Sequence, residues 1–96
     1  MSFSALDPIL NTPVRLAIVS ILIKLKEADF AYLQERTETT QGNLSHSLKK
    51  LEEEQYILIE KRMKGRYPQT IVILTKKGKK AFEDYVESIK QYLHLK

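Results

Sequence analysis

The stretch "NTPVRLAIVSILIKLKEA", residues 11 to 28, constrains this 96-residue chain more than any other. Thr12 suits a helix cap and Pro13 the first helical position, and the apolar spacing predicts a helix over 12–26. Val14, Ala17, Ile18, Ile21, Leu22 and Leu25 form one apolar stripe, while Leu16, Val19 and Ile23 begin a second. A helix apolar on two sides needs two neighbours. One is the domain core; the other is the leading "FSALDPIL" segment, a C-terminal helix or a second subunit. A chain this short without internal repeats is expected to form one domain with a small core, the size at which a partner subunit helps, so a homodimer is expected.

Beyond residue 28, Asp29 is placed to cap a short helix over 29–36, "FAYLQER", and Thr39 or Thr40 to cap a third over 40–54. The short gap between them reads as a helix-turn-helix. The runs "YILIEKRM" and "QTIVILT" flank "KGRYP" and predict a hairpin over 56–74 with a basic tip. Thr75 can cap a last, long helix over 75–94, whose Phe82, Tyr85, Val86, Ile89, Tyr92 and Leu93 share one stripe. The expected fold class is α+β, mostly α, in the order helix, helix, helix, strand, strand, helix.

The third helix carries the chemistry. With Leu44, Leu48 and Leu51 pointing inward, Gly42, Asn43, Ser45, His46, Lys49 and Lys50 point sideways or outward. Gly42, just past the cap at Thr40, is costly inside a helix by roughly 0.5–1 kcal/mol against alanine, and its missing side chain opens the helix N-terminus, which favours an anion such as phosphate. Gln41, Asn43, Ser45, His46 and Lys49 are the residue types that pair with base edges or phosphate. The "EEE" at 52 to 54 sits at the opposite end, within reach of Lys49 and Lys50. Such an acidic end would have to point away from phosphates, leaving the N-terminal half to read. The bland alternative is an amphipathic helix with a solvated face.

Charge is segregated as well. Residues 61 to 80 hold eight bases and no acid, leaving eight bases against twelve acids elsewhere, the footprint of a polyanion binder. Lys61, Arg62, Lys64 and Arg66 flank or form the hairpin tip, and strand alternation sends some of them to opposite faces. Arg66 beside Gly65 is the first choice for a backbone or minor-groove contact. Lys76, Lys77, Lys79 and Lys80 crowd the first turn of the last helix, where the helix dipole disfavours cations. Either an anion compensates them or they steer a polyanion from a distance. Arg15 is read as a phosphate contact or as one half of an internal ion pair.

Other classes of function find no support. There is no cysteine, no apolar run long enough for a membrane span, and no leader pattern, so a cytoplasmic, membrane-free protein is expected. The two histidines, His46 and His94, are remote in sequence and no thiol accompanies them, so no metal site is expected. No catalytic constellation or Gly-rich phosphate loop occurs, which predicts a non-enzyme without cofactor. Tyr32, Tyr56, Tyr85 and Tyr92 read as core or interface residues.

The runs "LNTPVRLAIVSIL", "ADFAYLQ", "TQGNLSHSLKKLEEEQYI" and "EKRMKGRYPQTIVILTKKGKKAF" together resemble the compact winged helix-turn-helix transcriptional regulators of archaea and bacteria, of MarR/ArsR-like type. The resemblance spans nearly the whole chain, with Thr37 and Glu38 standing where such sequences usually read hydrophobic-Gly. It implies a homodimer on duplex DNA, the third helix in the major groove and the wing on backbone or minor groove. Wing contacts are then expected from Arg62, Lys64, Gly65 and Arg66. A dimer interface is expected from Leu16, Val19 and Ile23 with Phe82, Tyr85, Val86, Ile89, Tyr92 and Leu93. Relatives often carry a ligand crevice, so a small-molecule effector stays open. Two rival readings remain: a winged helix protein-interaction module without specific DNA binding, and a single-strand or RNA binder, for which Tyr67 alone supplies an aromatic in the basic segment.

Overall fold

The computed structural model describes residues 3–93. Helix α1 (Pro13–Leu25) starts where Thr12 Oγ1 accepts from the Arg15 amide and stops at Lys26, whose φ of 71° ends the helix while its N–H reaches Leu22 O. A three-residue strand, β1 (Glu27–Asp29), follows. Helix α2 (Phe30–Thr37) is capped by Asp29, and α3 (Gln41–Glu53) by Thr40, whose hydroxyl accepts from the Asn43 amide at 3.0 Å. Strands β2 (Ile57–Lys64) and β3 (Tyr67–Leu74) form the hairpin, and α4 (Lys76–Leu93) closes the described chain. The expected order of helices and hairpin is present; the position 94 assigned to the last helix lies outside the described residues.

Strand β1 was not among the expected elements. It pairs antiparallel with β3 through Glu27–Ile73, Ala28–Val72 and Asp29–Ile71, making a three-stranded sheet in the order β1-β3-β2. Three residues are too few to show a period of two, and "KEAD" reads as a helix end followed by a cap. The hairpin turn is also tighter than the "KGRYP" spacing suggests. Lys64 pairs with Tyr67, so only Gly65 and Arg66 turn, with Gly65 at φ +61°, the first-position conformation that glycine adopts in two-residue hairpin turns. Pro68 therefore falls inside β3, opposite Met63. It is tolerated because β1 covers only Ile71 to Ile73, leaving β3 a single neighbour at Pro68.

The core gathers Leu10, Ile18, Val19 and Leu22 with Leu33, Leu44, Leu48 and Leu51, then Tyr56, Ile57, Val72 and Tyr85. The two-sided α1 is covered on one side by α3 and the sheet, and on the other by the leading segment and α4. That segment is bonded as well as packed. Arg15 Nε donates to Ile9 O at 2.6 Å, Tyr56 Oη donates to the Asp7 carboxylate at 2.5 Å, and Tyr92 Oη donates to Ser4 O at 3.1 Å. Burial, followed by the Asp7 carboxylate, pushes the Tyr56 phenol well above its ordinary value, so it stays a donor.

Between α2 and α3 the chain reverses through Glu38, at φ 51° and ψ 40°, with Thr37 Oγ1 donating to Leu33 O at 2.7 Å. The left-handed turn is kept although glycine is absent. At the other end of α3, Tyr56 O accepts from Thr75 N, and α4 lies so close that a Cβ on Gly78 would collide with that carbonyl and sit 2.9 Å from Leu74 Cδ1. Opposite effects are expected from two glycine exchanges, read by urea denaturation. Gly78→Ala destabilises by about 1–3 kcal/mol, the usual cost of overpacking. Glu38→Gly stabilises by about 0.5–1 kcal/mol through relief of the left-handed strain, net of the added freedom of the unfolded chain.

Candidate nucleic-acid interface

The polar strip of α3 is open. Gln41, Gly42, Asn43, Ser45, His46, Lys49 and Lys50 are all exposed, as is Thr40, while Leu44, Ser47, Leu48 and Leu51 are buried. Gly42, His46 and Lys49 lie within about 50° of the outward direction at 100° per residue, and form the crest of the helix. Nothing lies within 4 Å of the place a Gly42 side chain would occupy. Lys49 and Lys50 do not pair with Glu53 or Glu54. An exposed i,i+4 pair is worth only a few tenths of a kcal/mol, too little to hold two long side chains together.

Strip and hairpin face the same way. Gln41, Ser45, Lys49 and Glu52 of α3 line an open cleft of about 340 Å3 together with Phe30, Ile59, Lys61 and Thr70. Lys61 Nζ donates to Thr70 Oγ1 at 2.6 Å across the β2–β3 pair, which sets its ammonium on the α3 side of the sheet. Lys61 is thus the wing cation nearest the strip. Alternation alone could not choose between the faces, because it does not say which one meets α3. At the tip, Lys64, Gly65 and Arg66 are exposed, and Tyr67 is 77% exposed. Among the described residues no carboxylate pairs with Lys49, Lys50, Lys61, Lys64 or Arg66.

Two expected contacts are engaged elsewhere. Arg62, one residue after Lys61, points to the opposite face, where it donates to Glu27 of β1 at 2.6 Å and to Glu60 at 3.0 Å. Those two carboxylates raise its already high pKa. Arg62, expected as a wing contact, thus also ties β2 to β1, with its side chain still 42% exposed. Arg15 makes no ion pair among the described residues; half-buried, its guanidinium bonds the carbonyls of Ile9 and Pro8 and straps the leading segment to α1. Of the four lysines opening α4, Lys80 pairs with Asp84 at 2.7 Å and Lys77 lies over the Tyr56 ring at 5.7 Å. Lys76 and Lys79 have no such partner among the described residues.

The residues expected at a dimer interface divide. Val19 is fully buried within the domain and offers no surface to a partner; Tyr85 is nearly buried, its Oη donating to Asn11 Oδ1 at 3.0 Å, but it still lines the floor of the hollow between α1 and α4. Leu16, Phe82, Val86 and Ile89 instead line an open apolar hollow between α1 and α4, and Ile23 continues it alongside Phe82 and Val86. Tyr92 and Leu93 are exposed at the far end, where Phe3 stacks on Tyr92 with centroids 4.9 Å apart. Of the other tyrosines, Tyr56 joins the core, whereas Tyr32 is 40% exposed with Arg36 over its ring.

Among the described residues no cluster of His, Cys, Asp or Glu is placed to hold a metal, and no helix is long and apolar enough to cross a membrane. His94 lies outside the described residues.

Residues 14–93 match the model of the winged helix DNA-binding domain. An uncharacterized protein of Methanocaldococcus jannaschii is 43% identical over 84 residues, covering 86% of this chain and 90% of that protein. The transcriptional regulator homologue from Pyrococcus horikoshii OT3 superposes with a TM-score of 0.83 at 30% identity, over 88% of this chain and 84% of that one. A MarR family transcriptional regulator from Streptomyces coelicolor, solved in complex with DNA, shares the fold with a TM-score of 0.60 at 21% identity, over 84% of this chain and 57% of that one. The four helices and three-stranded sheet are those of a winged helix, and the chain belongs to the winged helix DNA-binding domain family of regulators.

Proposed function

We propose that the chain binds duplex DNA in a sequence-dependent way as a homodimer, with α3 in the major groove and the β2–β3 wing on the neighbouring backbone or minor groove. The observation that carries this reading is the shared cleft: an exposed polar strip, Gln41 to Lys50, and a wing whose Lys61 ammonium faces it, with Glu52 at the C-terminal end of the cleft but no ion pair to Lys49 or Lys61 among the described residues. Phosphate contacts then come from Lys49, Lys61, Lys64 and Arg66 and set register, while Gln41, Asn43, Ser45 and His46 discriminate bases. That a Streptomyces coelicolor regulator of the same fold was solved in complex with DNA is in keeping with DNA as the partner. The small-molecule effector stays outside the assignment.

Dimerisation supplies the second half of the reading. The apolar hollow of Leu16, Phe82, Val86 and Ile89 has the character of an interface core, and a two-fold axis beside α4 would present two strips to half-sites about 34 Å, or a multiple of that, apart. Regulation of transcription follows from occupancy of such paired sites.

Three measurements test this. Arg66→Ala is expected to weaken binding to every duplex and to lower the salt slope by about 1, whereas Asn43→Ala relaxes preference at one base position. Unchanged affinity in gel-shift titrations of both variants would refute the assignment. Gly42→Ala separates stability from binding: it should stabilise the fold by about 0.5–1 kcal/mol, since the space is open, yet weaken DNA binding at the helix N-terminus. Finally, Val86→Glu should convert a dimeric mass in sedimentation equilibrium to a monomeric one; a monomeric parent protein would sink the dimer.

A further inference from the structure

We propose that Thr75 is a positioning residue for the DNA interface: its hydroxyl, bonded to the carbonyl of Gln55, sets the angle at which the wing leaves α3. The inference rests on the DNA reading above and names what aligns the two halves of that interface.

Only three residues, Glu54 to Tyr56, separate α3 from β2. Within them the helix ends on a left-handed residue, Gln55 at φ 64°, whose N–H donates to Glu52 O at 2.9 Å while the Tyr56 N–H donates to Leu51 O at 3.0 Å. Glycine is the usual left-handed residue of such paired-bond helix ends. A residue with a side chain holds that conformation against its own preference, so the turn depends on what bonds it.

Thr75 does so from the other side of the hairpin. Its N–H donates to Tyr56 O at 3.1 Å, one step past the Ile57–Leu74 pair, and its Oγ1 donates to Gln55 O at 2.7 Å. The same Oγ1 accepts from the Gly78 N–H at 2.9 Å and so caps α4. The end of α3, both wing strands and the start of α4 thus meet at Thr75. Tyr56 is anchored besides by its hydroxyl on Asp7, which leaves Gln55 as the pivot.

Leverage makes the bond at the pivot matter. At roughly 3.3 Å per residue, the eight residues of β2 reach about 23 Å. A tilt of about 10° at the base displaces the tip by about 4 Å, more than the ~3.4 Å between successive bases of one strand. Ile57 and Val72 anchor the base by burial, which is a non-directional force; the hydrogen bond supplies direction. Because that bond is open to solvent it adds little to stability, and its contribution is to alignment.

Three exchanges separate the two bonds of the hydroxyl. Thr75→Ser keeps both, Thr75→Asp keeps the acceptor that caps α4 but loses the donor to Gln55, and Thr75→Val loses both. The full chain is titrated with a duplex it selects from a random pool and with a shuffled duplex, while residual dipolar couplings of the backbone amides report the angle between α3 and the wing in the free protein. Thr75→Asp and Thr75→Val are expected to lower the ratio of selected to shuffled affinity at least fivefold and to change that angle, with Thr75→Ser within twofold of the parent. The ratio cancels the long-range effect of the added charge, which weakens both duplexes alike. Loss of preference in Thr75→Val alone would assign the effect to the α4 cap and overturn the proposal, as would an unchanged angle in Thr75→Asp. If the parent chain selects no duplex, the DNA reading fails, while the couplings still decide whether Thr75 sets the angle.

Discussion

The rotation of α3 about its own axis is the constraint on which the interface depends, and three leucines set it. Leu44, Leu48 and Leu51 are buried against a core that includes Ile18 and Leu22 of α1 and Ile57 of β2. Burying each is worth about 1.5–3 kcal/mol relative to exposure. A turn of the helix by one residue would exchange this stripe for Ser45, Lys49 and Glu52 and strand two charges in the core. The crest at Gly42, His46 and Lys49 is therefore fixed by what lies underneath it. Because Ile57 begins β2, the same core also sets the direction in which the hairpin leaves, and strip and wing are aimed together.

Charge on the wing is sorted by the two faces of the sheet. Lys61 on the α3 side bonds a neutral hydroxyl and keeps its charge available, whereas Arg62 is bonded to Glu27 and Glu60. Exposed ion pairs of this kind contribute little to stability, so the effect of Arg62 is chiefly geometric. It ties β2 to β1 across the intervening β3 and gives a hairpin, marginal as an isolated ribbon, a third strand to lean on. The short β1 thus has a role out of proportion to its three residues: it braces β3 at Ile71 to Ile73 and holds the carboxylate that bonds Arg62 on the face away from α3.

Much of this was legible because it rests on local chemistry. Thr12, Asp29, Thr40 and Thr75 accept from amides at the four helix starts where capping residues were expected, and the leucine stripe gave the inward face of α3. What escaped depends on partners distant in sequence. The pairing of Glu27 with Ile73 is invisible to periodicity, and without it the fate of Arg62 cannot be foreseen. Val19 reads as an interface residue because a stripe shows only that a side chain is apolar, not that its own domain covers it fully. Arg15 lies six residues from the carbonyl it bonds, in a leading segment whose path has no period to betray it.

That leading segment explains how so short a chain sustains a helix apolar on two sides. Leu10 is fully buried, Leu6 and Ile9 pack beside it, and Asp7 bonds the hydroxyl of Tyr56, the residue that follows α3 and its C-cap turn. Segment, α1 and the α3–β2 junction are thereby linked in one network, and the phenol at its centre stays protonated because burial and the neighbouring carboxylate both oppose its ionisation. Once the segment and Tyr85 have covered part of α1, a narrow apolar run of Leu16, Ile23, Phe82, Val86 and Ile89 stays open between α1 and α4. A run this narrow does little for a monomer, but in the proposed homodimer it would be doubled across a two-fold axis and close on itself on a face away from the α3–wing cleft. Under that proposal the DNA-facing cleft and the self-association surface lie on different faces, so that changes in one need not propagate to the other.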